Sequence, residues 1–146
     1  MKIIGTFFLT CLFSCSFNGT NNEYAKWQKS NFGKLQFKGK IIKMTELVRN
    51  GRYYDIACVQ LDYSNVDSFY AFIPNKSFLK ISKGKAVIPI GSGVALEEKK
   101  VDYVEINMND SGKEVFYYKG KVWETLNTLA LGCPGLQESD LKFCDE

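Results

Sequence analysis

The stretch between residues 39 and 63 constrains the fold of this chain most strongly. It holds two segments, 39–48 and 53–63, that follow a period of two and are rich in β-forming residues, which is typical of strands. Asn50-Gly51 lies between them and suits a type I′ turn, because both central residues of that turn need positive φ. The sequence therefore predicts a β-hairpin.

The second arm of this hairpin is apolar on both faces. Ala57 and Val59 belong to one face, and Ile56 and Cys58 belong to the other. Strands buried on both sides have this composition. We therefore expect residues 53–63 to lie in the centre of a sheet.

Four more segments have the composition of strands, namely 68–73, 86–91, 101–108 and 113–118. In the third of them Val104 and Ile106 are predicted to face inward. Pro89 favours an edge or a bulge for the second, because proline cannot donate a ladder hydrogen bond. Residues 77–85 and 94–100 leave helix and strand open as alternatives.

Two helices are predicted beside these strands. A short one ends near Gly33. The other covers residues 121–132, where Val122, Leu126 and Leu129 recur at helical spacing and a glycine and a proline follow as stop signals. We expect this C-terminal helix to pack over one face or opening of the sheet.

These elements predict a mainly β fold: a small antiparallel β-barrel or a strongly twisted sheet, with a C-terminal helix. In topology alone, the layout of a first hairpin, further strands and a closing hairpin resembles OB-like and SH3-like barrels. The alternative is an α+β open antiparallel sheet.

The beginning of the chain has a different character. Lys2 is its only charge before Glu23, and residues 3–13 are almost entirely apolar. A membrane-spanning helix needs about 20 apolar residues, whereas the hydrophobic core of a secretory signal has about 7–15. Residues 1–14 are therefore predicted to be a signal peptide.

The end of this leader, Leu12-Phe13-Ser14-Cys15, resembles the lipobox of bacterial lipoproteins. Leu12 and Ser14 occupy the family's branched-aliphatic and small positions. The resemblance implies that Cys15 becomes the first residue of the mature chain and carries a diacylglycerol and an N-acyl chain. Two or more acyl chains hold a protein stably on a membrane.

Ser16, rather than aspartate, follows Cys15, and within that family this implies the outer membrane, facing the periplasm. The alternative is ordinary secretion with cleavage after Ser16, because Ser14 and Ser16 form a small-x-small pattern. Three glycosylation sequons, at Asn18, Asn75 and Asn109, would suit a secreted protein.

The predicted organisation is a signal peptide at 1–14, a tether and short helix at 15–33, and a single β-rich domain at 34–146, which is the size of one domain. The 19 basic and 16 acidic residues are spread along the chain. Without a basic stripe, nucleic acid is excluded as an expected partner.

The chain contains no histidine. This excludes a Ser-His-Asp or Cys-His catalytic arrangement and zinc sites of the mixed Cys/His kind. No catalytic residue, metal ligand or cofactor is predicted from the remaining residues.

Three cysteines remain beyond the leader and Cys15. A disulfide between Cys133 and Cys144 would close a short loop and stabilise an exported protein, and the alternative is that the thiols stay free. Cys58 lies in an apolar run and is expected to be a small buried residue.

The candidate carboxylates for an acid/base pair are Asp55, Asp62, Asp67, Glu97, Glu98, Asp102 and Glu105. Sequence spacing cannot place two of them across a cleft, as glycoside hydrolysis requires. Oxygen-rich loops around Asn65 and Asn109 suit hairpin turns better than calcium sites.

Aromatic residues are abundant in the predicted strands, and adjacent ones must point to opposite faces. Some tyrosines are therefore expected at the surface, where they can contact a glycan or a protein partner.

The sequence favours a non-enzymatic, lipid-anchored binding or assembly protein of the cell envelope. The alternatives are a secreted or periplasmic hydrolase that uses carboxylates, and a small inhibitor or immunity-type protein.

Overall fold

The computed structural model describes residues 30, 32–49, 51–73, 77–90, 101–110, 113–126 and 137–145. The strands are, in chain order, β1 (Gln36–Arg49), β2 (Arg52–Ser64), β3 (Phe69–Ile73), β4 (Ser77–Ser82), β5 (Lys85–Ile90), β6 (Tyr103–Asn107), β7 (Lys113–Tyr118) and β8 (Lys121–Leu126). Two 3₁₀ helices, Met108–Asp110 and Glu138–Lys142, accompany them.

All eight strands belong to one antiparallel sheet in the order β3-β4-β5-β2-β1-β6-β7-β8. Within the described residues β3 pairs only with β4, and β8 pairs only with β7. The sheet is therefore open rather than closed into a barrel. The prediction of a mainly β fold is confirmed.

The first hairpin forms as predicted. β1 pairs with β2 from Phe37 opposite Ser64 to Arg49 opposite Arg52, and Gly51 has a φ of 72° in the turn. β2 also pairs with β5, so it occupies the central position that its two apolar faces predicted.

Two further hairpins turn on a lysine-glycine pair. Lys83-Gly84 has φ values of 52° and 72°, and Lys119-Gly120 has 50° and 74°, the two positive values that a type I′ turn requires. The first turn joins β4 to β5, so residues 77–82 are a strand. The second joins β7 to β8.

The predicted C-terminal helix is wrong where it overlaps β8. Residues 121–126 form a strand that pairs with β7, because the Lys119-Gly120 turn folds them back and Val122, Trp123 and Thr125 are good strand formers. Residues 127–132 of that prediction lie outside the described residues. Of the short helix predicted to end near Gly33, Ser30 and Phe32 are helical. The part before Ser30 lies outside the described residues.

Among the residues that the structure describes, Pro89 lies in a part of β5 that pairs with a neighbour on one side only. It is opposite Ile56 of β2, whereas the pairing of β5 with β4 extends no further than Val87. The expected edge position of this proline therefore exists locally, although β5 is an interior strand of the sheet.

The main hydrophobic core lies on one face of the sheet and draws on β1 to β7. Its buried residues include Phe37, Val59, Ile88, Ile106 and Phe116. The prediction that Val104 and Ile106 face inward is confirmed, because both are fully buried in this core. Alternate residues of β6 therefore point to the opposite face.

A second, smaller cluster covers part of that opposite face. Ile56, Cys58 and Val87 of the sheet pack there against Leu141 and Cys144 of the C-terminal segment. The expected burial of Cys58 is confirmed, since it is 1% exposed.

Cys144 forms its disulfide with Cys58 rather than with Cys133. The two Cα atoms are 5.4 Å apart across a sequence separation of 86. The predicted Cys133–Cys144 bridge is therefore wrong: the second apolar cluster brings the C-terminal segment onto β2. Cys133 itself lies outside the described residues.

Candidate ligand-binding groove

The face opposite the main core carries an open groove over β1, β6 and β7, with a volume of about 530 Å³. The residues that line it are Lys38, Lys40, Asp62, Asp102, Tyr103, Glu105, Tyr117 and Gly120. Most of these side chains are charged or aromatic, in contrast to the apolar clusters elsewhere.

The register of the strands brings these side chains together. Tyr103 of β6 is opposite Lys40 of β1 and also opposite Tyr117 of β7. One step along the same face, Glu105 is opposite Lys38. Residues that face each other across antiparallel strands lie within contact distance, so three strands contribute to one surface.

Two tyrosine rings form the centre of the groove. The rings of Tyr103 and Tyr117 meet edge to face, with their centroids 5.9 Å apart. The Tyr117 hydroxyl donates a hydrogen bond to Glu105 Oε2 at 3.3 Å, and Tyr103 is hydrogen-bonded to Asp62. Each ring therefore has a carboxylate attached to its polar end.

Burial and the neighbouring carboxylates raise the pKa of both tyrosines. Partial burial raises the pKa of Tyr103 and of Tyr117, and hydrogen bonding and charge from Asp62 and Glu105 raise them further. The two hydroxyls are therefore neutral donors at physiological pH.

Asp102 has a structural function at the end of the groove. Its Oδ2 accepts a hydrogen bond of 3.0 Å from the backbone N–H of Lys119, and its own N–H donates to the Tyr117 carbonyl at 2.9 Å. These bonds hold the β7–β8 turn, and with it Gly120, against the groove.

A smaller recess of about 100 Å³ continues the groove along the strands. It shares Lys38 and Glu105 with the groove and adds Gln36, Tyr63 and Asn107. Gln36 Nε2 donates to Asn107 Oδ1 at 3.3 Å, and the Tyr63 side chain is 48% exposed. Groove and recess together form one polar and aromatic strip, which we call the tyrosine strip.

The structure brings together three of the carboxylates singled out from the sequence, namely Asp62, Asp102 and Glu105. Asp55 is buried, Asp67 is exposed in a loop, and Glu97 and Glu98 lie outside the described residues. The pairing of each tyrosine with a carboxylate was not predicted, since it depends on the register between three strands.

The oxygen-rich loop around Asn109 joins β6 to β7, which pair as the predicted hairpin. The loop around Asn65 joins β2 to β3, which are not neighbours in the sheet, so the hairpin turn predicted there is wrong. Asn65 accepts a hydrogen bond from the Gln36 N–H at 2.9 Å, and Asn107 Oδ1 accepts one from the Asn109 N–H at 3.0 Å. No group of three Cys, Asp or Glu residues in the described part of the chain could hold a metal ion.

A second aromatic cluster lies at the β7–β8 turn. The rings of Tyr118 and Trp123 meet edge to face at 6.2 Å, and Lys119 Nζ lies 5.1 Å from the centre of the Tyr118 ring. Val122 is 60% exposed and Trp123 is 40% exposed. We call this set the aromatic tip.

Comparisons with protein families, with characterised proteins and with solved structures found no match to this chain. Within the described ranges, no helix has the length and apolar character needed to cross a bilayer. Cys15, the predicted lipidation site, lies outside those ranges. What the chain does must therefore be inferred from its own residues.

Proposed function

We propose that this chain is a lipid-anchored protein of the cell envelope that binds its ligand in the tyrosine strip without chemically changing it. The observation that carries the proposal is the groove itself, in which Tyr103 and Tyr117 are held edge to face by carboxylate partners. A surface of aromatic rings with positioned polar groups has the chemistry of a binding site.

The membrane attachment rests on the leader. An apolar run too short to span a bilayer ends at Leu12-Phe13-Ser14-Cys15, and acylation of Cys15 would keep the body at the membrane surface. Outer-membrane attachment facing the periplasm is the corresponding location. Ordinary secretion, with cleavage after Ser16, is the alternative.

The side chains of the aromatic tip suit contact with a membrane surface. Tryptophan and tyrosine side chains have an apolar body and a polar end, and lysine can extend its charge away from apolar surroundings. Lys119 of the turn and Val122 and Trp123 at the start of β8 combine these properties on one exposed tip.

A carboxylate hydrolase is the second candidate, because Asp62 and Glu105 do lie in one groove. Hydrolysis of a glycosidic bond needs one carboxyl group that is kept protonated as the acid. Burial does raise one carboxyl pKa strongly, that of Glu114, to about 9, but Glu114 does not line the groove. Binding is therefore the better-supported function.

The anchoring part is tested by fractionation of cells that produce the full chain. We expect the wild-type protein in the membrane fraction and the Cys15→Ala variant outside it. Cys11→Ala is the matched control, because it changes another cysteine of the same leader and should leave the protein on the membrane. Equal distribution of all three proteins would contradict anchoring through Cys15.

A further inference from the structure

We infer that the ligand of the tyrosine strip is an uncharged, polyhydroxylated chain, that is, a linear glycan. This inference rests on the proposed binding function and specifies its ligand. It depends on three properties of the strip: its mixture of hydrogen-bonding groups, the arrangement of its rings, and its length.

The hydrogen-bonding groups match hydroxyls. Lys38 and Lys40 supply hydrogen-bond donors, whereas the carboxyl oxygens of Asp62 and Glu105 supply acceptors. Both types line one groove, with Lys38 directly opposite Glu105. A sugar hydroxyl both donates and accepts, so neighbouring hydroxyls on one ring can bind an ammonium group and a carboxylate at the same time.

The rings suit the apolar faces of sugars. Because Tyr103 and Tyr117 meet at an interplanar angle of 77°, they provide both a ring face and a ring edge in the groove. The C–H side of a sugar ring packs on such aromatic surfaces, while the tyrosine oxygens remain available at the polar end of each ring.

The acceptors are in place before any ligand arrives. The Tyr117 hydroxyl holds Glu105 at 3.3 Å, and Tyr103 holds Asp62. Tyr103, Glu105 and Tyr117 project from paired positions of β6 and β7. Groups that need no reordering bind at a lower entropic cost.

The length of the strip favours a chain over a single sugar. It extends along β1 from Gln36 to Lys40 and along β6 from Asn107 to Tyr103, about 13 Å at ~3.3 Å per residue. A strip of this kind is long enough for several linked rings that lie parallel to the strands.

The charges exclude an acidic polymer. Three carboxylates, from Asp62, Asp102 and Glu105, face two lysines in the groove, so the phosphates of a nucleic acid would meet net repulsion. A basic peptide is the other class that fits this charge, and it is therefore included in the test.

The test is isothermal titration of the mature protein, purified in detergent, with four probes: N-acetylglucosamine tetramer, maltotetraose, cellotetraose and tetralysine. We expect at least one uncharged tetrasaccharide to bind. Lys40→Gln and Glu105→Gln should each weaken that binding about tenfold, because each removes one charged hydrogen-bond partner. Lys83→Gln in the β4–β5 turn and Glu46→Gln on β1 are the matched controls outside the strip and should bind as the wild type does.

The inference is overturned if no tetrasaccharide binds, if only tetralysine binds, or if Lys40→Gln and Glu105→Gln bind as tightly as their controls. Unfolding curves of the variants show whether a loss of binding reflects loss of the fold. Cys15→Ala protein should bind the same glycan. Failure of glycan binding is thereby separated from failure of membrane anchoring.

Discussion

Cys58 in β2 is bonded to Cys144, 86 residues further along the chain, with their Cα atoms 5.4 Å apart. The bond holds the C-terminal segment on the sheet face that also carries the tyrosine strip. A salt bridge also holds this segment on the sheet, since Lys80 Nζ of β4 lies 2.7 Å from the Asp145 carboxylate. The segment thus packs on β2, β4 and β5 and also contacts Lys43 of β1. The tyrosine strip lies farther along the same face, on residues 36–40 of β1, residues 62–63 of β2, β6 and β7.

Removal of this disulfide should destabilise the domain substantially. For a loop closed over this separation, the chain-entropy model gives about 4.5 kcal/mol. In urea unfolding, we expect the free energy of unfolding of a Cys58→Ser/Cys144→Ser variant to be lower than that of the wild type by most of this amount. Reduction of the wild-type disulfide should lower it to the same extent.

Peptide mapping under non-reducing conditions provides the independent check. A peptide that contains Cys58 should be linked to one that contains Cys144. A link between Cys133 and Cys144, or an unfolding curve that reduction does not change, would contradict this part of the structure.

Glu114 should make stability depend on pH. It is 1% exposed, both carboxyl oxygens have no hydrogen-bond partner, and it lies opposite Ile106 of the main core. Burial raises its pKa from 4.5 to about 9, so the folded chain holds a proton that the unfolded chain releases. The contribution of Glu114 to the free energy of unfolding is therefore fully present below pH 4.5. It is lost as the pH rises toward 9, by up to about 1.4 kcal/mol per pH unit.

Urea unfolding between pH 5 and pH 9 measures this effect. The Glu114→Gln variant should lack this decline in the free energy of unfolding and should be more stable than the wild type at pH 8. The exposed Glu46 offers the control, and Glu46→Gln should keep the wild-type slope. Parallel pH profiles for Glu114→Gln and the wild type would show that Glu114 is not the responsible group.

Gly39 should tolerate no side chain. A Cβ atom at this position would lie 2.1 Å from the backbone oxygen of Gln60, at a shift in the β1–β2 register. Backbone on the paired strand cannot move away locally, so Gly39→Ala should cost about 3 kcal/mol, as strongly overpacked sites do.

Gly51 is the control for that substitution. Its Cβ would meet nothing within 4 Å, but its φ is +72°, so Gly51→Ala should cost only about 1 kcal/mol of backbone strain. Equal effects of the two substitutions on the free energy of unfolding would contradict the close approach at Gly39.

Local patterns in the sequence were sufficient for much of the sheet. Alternation around Asn50-Gly51 predicted β1 and β2, and the apolar residues on both faces of β2 predicted its central position. These features succeed because they depend on turn chemistry and on a period of two, both of which are local.

The errors came from turns and contacts that local patterns do not specify. Val122 and Leu126 fit helical spacing, yet they also fit a strand once Lys119-Gly120 is recognised as a turn. Lysine is not among the residues usually favoured in such turns. The partner of Cys144 could not be chosen from spacing, because the packing of Leu141 on β2 and β5 brings Cys58 close.

The assembly of the groove could not be predicted from local sequence patterns either. Asp62 and Glu105 were each singled out from the sequence, but their association with Tyr103 and Tyr117 depends on register. Asp62 comes from a different strand, at a place where the β1–β2 register shifts between Lys38 and Gly39. No periodic pattern along one strand reports such a shift.

The most direct test of the central claim, that this β domain is tied to a membrane through an acylated cysteine, is the intact mass of the protein extracted from the membrane fraction. The proposal predicts a chain that begins at Cys15 and carries the added mass of its acyl groups. An unmodified chain that begins at Phe17, or one that retains residues 1–14, would contradict it.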